Sequence, residues 1–220
     1  MATPHSSAAR RQGRPPVIAR ARERILDEAA RLFAANGYES GSINELAAAV
    51  GVSKAAIYHY FPTKQDIYDG LILRTLQSLG EHVAAEVGRE TRADARLRRF
   101  MLAHAGYFEA HHAAFTTMLV GYSGMGTALR EDAARLRDAY EQSLRDIVSQ
   151  GMEDGVFRRG DPATAARAVL SMLNWMARWY KPAGERSAAG IAADYYELIA
   201  GGLCRPAPTP SAESAHGTGR

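Results

Sequence analysis

The chain has 220 residues, 46% hydrophobic and 23% charged, a size and balance that support a buried core. Its one cysteine, Cys204, excludes an internal disulfide and a cysteine-based metal site; apolar runs fall short of the roughly 18 residues of a membrane span and no apolar h-region follows the N-terminus, so a cytoplasmic protein without a membrane partner is expected. The net charge of +3 is unevenly placed: residues 1–68 hold 9 Lys/Arg against 6 Asp/Glu, whereas residues 69–220 hold 18 of each.

Residues 1–19 are small, polar, basic and proline-containing, and read as a disordered arm. Within them "RRQGRPP" sets Arg11 and Arg14 on either side of a glycine, with prolines keeping the chain extended. Such a segment is similar to the hooks that enter a DNA minor groove; the alternative is a solvated tail that lends charge. The tail 205–220 reads as disordered for the same reasons. Between the tails the periodicity is helical, with Gly and Pro at segment ends, and the fold class is all-α with about nine helices.

The first helix is expected from Ala21 to Asn36, with Ile25, Ala29, Leu32 and Phe33 as its apolar stripe and Gly37 as its left-handed cap. "SINE" (Ser42–Glu45) reads as a reciprocal capping box opening a second helix, whose inner face is Ile43, Leu46, Ala47 and Val50. Gly51 makes a tight turn. Ser53 caps a third helix that ends near Tyr60, about 10 Å long at 1.5 Å per residue. Pro62 stops it, and "TKQD" (Thr63–Asp66) is a second cap, opening a long helix towards Gly88.

Helix, tight glycine turn and short helix form a helix-turn-helix. Val52, Ile57 and Phe61 are expected to pack inward on it, leaving Lys54, Ala55, Tyr58 and His59 outward. Tyrosine hydroxyls donate to phosphate oxygens, lysines supply charge, and Ala55 and Ala56 give a low profile that admits base edges and thymine methyls. Plain helical packing is the competing reading of the same pattern.

Residues 20–68 resemble the N-terminal domain of the TetR family of transcriptional repressors. The resemblance rests on "ILDEAARLFAANGYES", "SINELAAAVGVSKAAIYHYFPTKQDIY" and the spacing between them. It implies a three-helix DNA-binding domain in which Ser42, Tyr58, Tyr60 and Lys64 hold phosphates. It also implies that Lys54, Ala55, Ala56 and His59 lie near bases, with Ser53 completing the set at the N-cap. Many members carry threonine where Ala56 stands, which leaves the operator sequence unassigned.

Residues 69–204 are then expected to form an effector-binding and dimerisation domain, with helices near 92–111, 125–153, 161–181 and 187–204. Asp161-Pro162 reads as an N-cap followed by proline at the first helical position. By the resemblance, the last two helices pair with their copies in a homodimer, and Ala165, Ala166, Ala192, Ala193 and Ala200 let them approach closely. A two-fold pair of recognition helices reads a palindrome with half-sites about 34–36 Å apart or more.

"NWMARWYKP" holds Asn174, Trp175, Arg178 and Trp179. At i, i+4 the two indoles share a face, forming an apolar wall with Arg178 beside it for a phosphate or carboxylate; the same spacing is also that of an ordinary core pair. The run is similar to a segment of TetR-type regulators of fatty-acid, steroid and phenylacetate breakdown that answer to acyl-CoA thioesters. That likeness implies an acyl-CoA effector in a tunnel lined by Phe108, Phe115, Met118, Leu119, Tyr122, Met125 and Met172. A different small apolar effector remains the alternative. An enzyme is disfavoured. "GYSGMG" lacks the nucleophile-elbow spacing, and His104, Glu109, His111 and His112 lack that of a metal-binding helix, so no catalytic, cofactor or metal residue is assigned.

Overall fold

A computed structural model describes residues 17–203, which form nine α-helices and two short 3-10 turns, with no strand among them. Arg11, Arg14, Cys204 and the tail lie outside the described residues.

α1 (Val17–Ser40) begins four residues before the expected start, and Gly37 breaks its regular course with φ 76°, ψ 169°. Ile25, Leu26, Ala29, Ala30 and Phe33 are its buried stripe. α2 (Ile43–Val50) buries the four residues its pattern marked. Its cap differs from the reciprocal box: Ser42 Oγ accepts from Asn44 N at 3.2 Å, one residue before Glu45, and Glu45 points to solvent. The short serine side chain is satisfied by the second helical N–H, which leaves Glu45 nothing to reciprocate. Gly51 is left-handed at φ 75°, ψ 37°, and bonds from Val52 N to Ala47 O and Gly51 N to Ala48 O close a Schellman turn.

α3 (Lys54–Tyr60) is capped by Ser53 Oγ on Ala56 N at 3.1 Å. α4 (Lys64–Val87) starts with a complete capping box between Thr63 and Asp66. Its 24 residues span about 36 Å, and it runs unbroken from the recognition end of the molecule into the body. Arg22 lies 4.9 Å over the Phe61 ring, and Arg24 donates to Val50 O at 2.7 Å, so α1 fastens the turns on either side of α3.

The body is built on α5 (Ala93–Ala110), whose Leu97, Phe100, Met101, His104 and Phe108 are buried at helical spacing. It packs against α4, α7 (Thr127–Glu153) and α9 (Ala188–Leu203). α6 (His112–Gly121) is a helix beyond those expected: the helix expected near 92–111 ends where α5 does, and the sequence pattern assigns none over 112–124. It leans on α1 and α4 and therefore joins the body to the head, the helix-turn-helix end formed by α1–α3 and the start of α4. α8 (Pro162–Trp175) packs along α7, and its Asp161 cap accepts from Ala163 N and Thr164 N, with proline at the first helical position as expected.

The sign of a glycine substitution depends on its backbone. Gly51 and Gly106 both have open space around a would-be Cβ, but only Gly51 has positive φ. In urea unfolding, Gly51→Ala is expected to lose about 1 kcal/mol to left-handed strain. Gly106→Ala, inside α5, should gain about 0.5–1 kcal/mol; equal signs for the two would reject this backbone account.

Candidate nucleic-acid interface and effector cavity

α3 is held from below by Ile57 and Phe61, which are 0% and 2% exposed. Its opposite side presents Lys54, Ala55, Tyr58 and His59, all exposed, with Ala56 and Tyr60 half-buried at the edges and Ser53 exposed at the cap. Lys54 Nζ stands 5.9 Å above the Tyr58 ring, and His59 meets Tyr60 edge-on at 5.4 Å. Lys64 Nζ lies 4.6 Å over Tyr38 and donates to Glu39 O at 3.0 Å. An ammonium has three donors, so two remain for another partner. Ser42 is half-buried; its oxygen accepts from Asn44, and its O–H is still able to donate. Val52 is the exception to the expected inner set, at 38% exposed. The Schellman bond pins its backbone against the end of α2 and leaves its side chain at the outer edge of the turn.

The body holds a partly open cavity of about 440 Å³ between α4, α5, α6, α7 and α8, within the usual range for small-molecule sites. Leu76 and Leu79 come from α4, His104 from α5, Met118 and Leu119 from α6, and Leu170 from α8. Arg137, Tyr140 and Glu141 of α7 face Arg167, Ser171 and Asn174 of α8. Glu141 takes Arg145 at 2.7 Å and Arg167 at 3.1 Å. Partial burial pushes its carboxyl up, but the two guanidiniums outweigh this and hold it below the usual range.

Three of the residues expected at the effector site, Met118, Leu119 and Asn174, line this cavity. Phe108, Phe115 and Met125 are instead sealed in the core at 1%, 0% and 2% exposed, where bulky apolar groups gain most from burial. Met172 is half-buried on α8 and does not line the cavity. Tyr122 starts the 3-10 turn Tyr122–Gly124, and its side chain is not among those described.

The tryptophans form neither the wall nor a core pair. Trp175 is 64% exposed and Trp179 is 44% exposed. α8 ends at Trp175, and Met176–Arg178 is a 3-10 turn with Met176 wholly buried. Three residues per turn in place of 3.6 rotates Trp179 away from the face of Trp175. Arg178 follows it outward, 5.9 Å over the Trp175 ring. Ala166 and Ala192, expected between subunits, are 0% exposed within the monomer; the outward apolar residues here are Trp175, Trp179 and Leu198, the last 70% exposed.

Apart from Asn174, the basic and polar residues of the cavity were missed, although their spacing carries a signal. Arg137, Tyr140 and Glu141 fall at i, i+3, i+4, and Arg167, Leu170, Ser171 and Asn174 at i, i+3, i+4, i+7, each one helix face. Among the histidines, His104 is buried and His111 exposed. Glu109 accepts from Ala188 N at 3.3 Å and from the Tyr180 hydroxyl, so it caps α9. No group of three or more His, Cys, Asp or Glu that could hold a metal occurs among the described residues, and no helix there is long and apolar enough to cross a membrane.

The start of α4 is bonded both to the end of α1 and to the segment that opens α7. Tyr38 Oη donates to Gln65 Oε1 at 2.9 Å, and Gln65 Nε2 donates to Asp69 at 2.6 Å and Gly124 O at 3.2 Å. Asp69, 4% exposed, accepts from Gly126 N at 3.1 Å and so holds the first turn of α7. A methyl at Gly121 would overlap the Tyr68 hydroxyl, which sits in the notch the glycine leaves.

These features define a helix-turn-helix DNA-binding regulator. Residues 25–71 match the family model for bacterial regulatory proteins of the tetR family, and residues 90–203 match that for the tetracyclin repressor-like C-terminal domain. The chain belongs to the TetR family. It is similar to the TetR-family transcriptional regulator PfmR of Thermus thermophilus, with 46% identity, a TM-score of 0.78, and cover of 83% of this chain and 100% of that one. AibR, solved in complex with isovaleryl coenzyme A and operator DNA, is 26% identical with a TM-score of 0.74, covering 81% and 97% of the two chains. The HTH-type transcriptional repressor KstR2 of Mycobacterium tuberculosis is 24% identical over 188 residues, 84% of this chain and 93% of that protein. Homodimers are typical of the family.

Burial drives His104 down to about 3, far below its unfolded value of 6.5. Its folded form stays neutral while the unfolded chain takes up a proton, so its stability contribution is full above pH 6.5 and falls as pH drops from there towards 3. Between pH 7 and pH 5 this costs about 2 kcal/mol. His104→Phe should remove that share of the pH dependence in urea titrations; an unchanged slope would show that another group carries it.

Proposed function

We propose that the protein is a ligand-responsive repressor that binds palindromic operator DNA as a homodimer and is released when an acyl-CoA thioester fills the cavity. The observation that carries this reading is α4. Its N-terminus abuts the recognition helix, and its Leu76 and Leu79 line the cavity some 18 Å further on.

On the DNA, Tyr58, Tyr60, Ser42 and Lys64 contact phosphates, and Ser53, Lys54, Ala55, Ala56 and His59 approach base edges. Arg11 and Arg14, in the N-terminal arm, add contacts in the adjacent minor groove. The effector's acyl chain lies against Leu76, Leu79, Met118, Leu119 and Leu170, where methionine adapts to chain shape. Arg137 and Arg167 meet its phosphates. The Arg167–Glu141 pair is worth little at 66% exposure of the arginine, so a phosphate competes for that guanidinium with bidentate geometry. AibR, similar in fold and bound to both an acyl-CoA and DNA, supports this pairing of ligand and partner.

The subunits meet through α8 and α9, with Trp175, Trp179 and Leu198 as the apolar surface that a monomer leaves uncovered. Effector binding favours a head spacing that no longer matches the operator, a coupling of roughly 1–3 kcal/mol.

The test is fluorescence anisotropy of a palindromic fragment from beside the coding region, titrated with a panel of CoA thioesters. Wild type should bind in a salt-dependent manner and be released by at least one thioester. Tyr58→Ala should bind at least about tenfold more weakly with its dimer intact. Release by apolar compounds without CoA, and by none of the thioesters, would replace the effector class; normal binding by Tyr58→Ala would overturn the interface. Independently, Leu198→Glu should shift sedimentation from dimer to monomer and weaken operator binding. A dimer that survives this charge would place the subunit contact elsewhere.

A further inference from the structure

Two of the cavity's lining residues, buried His104 and half-buried Tyr140, are bonded to each other rather than to a charged group. The His104 ring is 1% exposed and meets Phe115 edge-on at 5.3 Å. Its Nδ1 lies 2.8 Å from Tyr140 Oη. Its second nitrogen, Nε2, is buried with no hydrogen-bond partner. A neutral imidazole has one N–H donor and one lone-pair acceptor. If Tyr140 donates to Nδ1, the phenol is satisfied and only Nε2–H lacks a partner. If Nδ1–H donates to the phenol, both the phenol O–H and Nε2 are left without one. The first arrangement leaves fewer unmet groups, and it makes Nε2 a donor. Burial keeps both groups in the neutral forms this requires, since it lowers the imidazole and lifts the tyrosine hydroxyl well above its usual value.

We propose that His104 Nε2–H is the specificity donor of the cavity, paired in the bound state with a carbonyl oxygen of the effector, the thioester C=O of an acyl-CoA. The inference rests on the acyl-CoA reading and adds the atom that is read. Leu76, Leu79, Met118 and Leu119 accept any hydrocarbon of suitable length, so they select size alone. A buried donor selects chemistry, because a ligand lacking the acceptor leaves that N–H unpaired. Tyr140 is a positioning residue: its hydroxyl fixes the tautomer and the ring plane.

Calorimetry of the full chain with hexanoyl-CoA and with its thioether analogue S-hexyl-CoA, which lacks only the carbonyl oxygen, tests this directly. Wild type should prefer the thioester by about tenfold or more. His104→Phe with Tyr140→Phe, which removes both polar groups and keeps both rings, should bind the two ligands with equal affinity. Equal binding by wild type overturns the inference and leaves the acyl-CoA reading standing. Binding of neither ligand overturns both. A preference that persists in the double variant assigns the carbonyl to another donor and also overturns it. The wild-type comparison decides the matter even if the variant fails to fold.

Discussion

Everything in this molecule is organised by one helix having to satisfy two cores at once. α4 begins with the Thr63–Asp66 capping box, places Ile67, Tyr68 and Leu71 against the head, and three turns later puts Leu79 and Val83 into the body. No loop separates these duties. A close-packed interior does not absorb displacement by compressing, so a shift of α4 at one end must appear at the other. With about 18 Å between Lys64 and Leu76, a tilt of about 5° moves the N-terminus by about 1.5 Å, within the range of helix shifts that drive switching proteins. In the proposed mechanism this ties the position of α3 to how the cavity is filled.

The head was legible because its signals are local. Gly51 needs a left-handed residue, Ser53 and Thr63 need short hydroxyls, and each acts within four residues of chain. The stripes of α1 and α2 follow from period alone. The body was legible as helices but not as a site. His104, Tyr140 and Arg167 come from three helices that touch only after folding, and no sequence spacing records which helices become neighbours. Trp175 and Trp179 show the opposite error. Their spacing was read with an α-helical period that stops at Trp175, and the 3-10 turn that follows has no glycine or proline to announce it. Val52 differed for a related reason: a pattern assigns a face, but a left-handed turn re-aims the next side chain.

The polar residues of the cavity divide by depth. Near the surface, Arg167 and Glu141 are held by pairs that water already weakens, so exchange with a charged ligand costs little. By contrast His104, which is buried, is bonded to the half-buried Tyr140. On the acyl-CoA reading proposed above, the exposed arginines meet the anionic head and the buried and half-buried residues meet the apolar tail. The proposed role of His104 would account for a buried imidazole despite its cost to acid stability: a cavity lined only by leucine and methionine would admit any greasy molecule of the right length.

The junction decides whether such a ligand produces a switch or merely a strain. Gln65 and Asp69 are bonded to the 124–126 segment, and Tyr68 occupies the notch at Gly121. α6 carries Met118 and Leu119 into the cavity, and α7, which starts at that segment, carries Arg137 and Tyr140. A ligand that pushes α6 or α7 therefore acts on Asp69 and Tyr68 before it acts on anything nearer the DNA. A phenol in a glycine notch fits in one register and clashes between registers, and a carboxylate bonded to a backbone N–H is either paired or not. Contacts of this kind have few intermediate states, so in the proposed mechanism the joint responds to the ligand by changing population between arrangements rather than by bending in proportion to it.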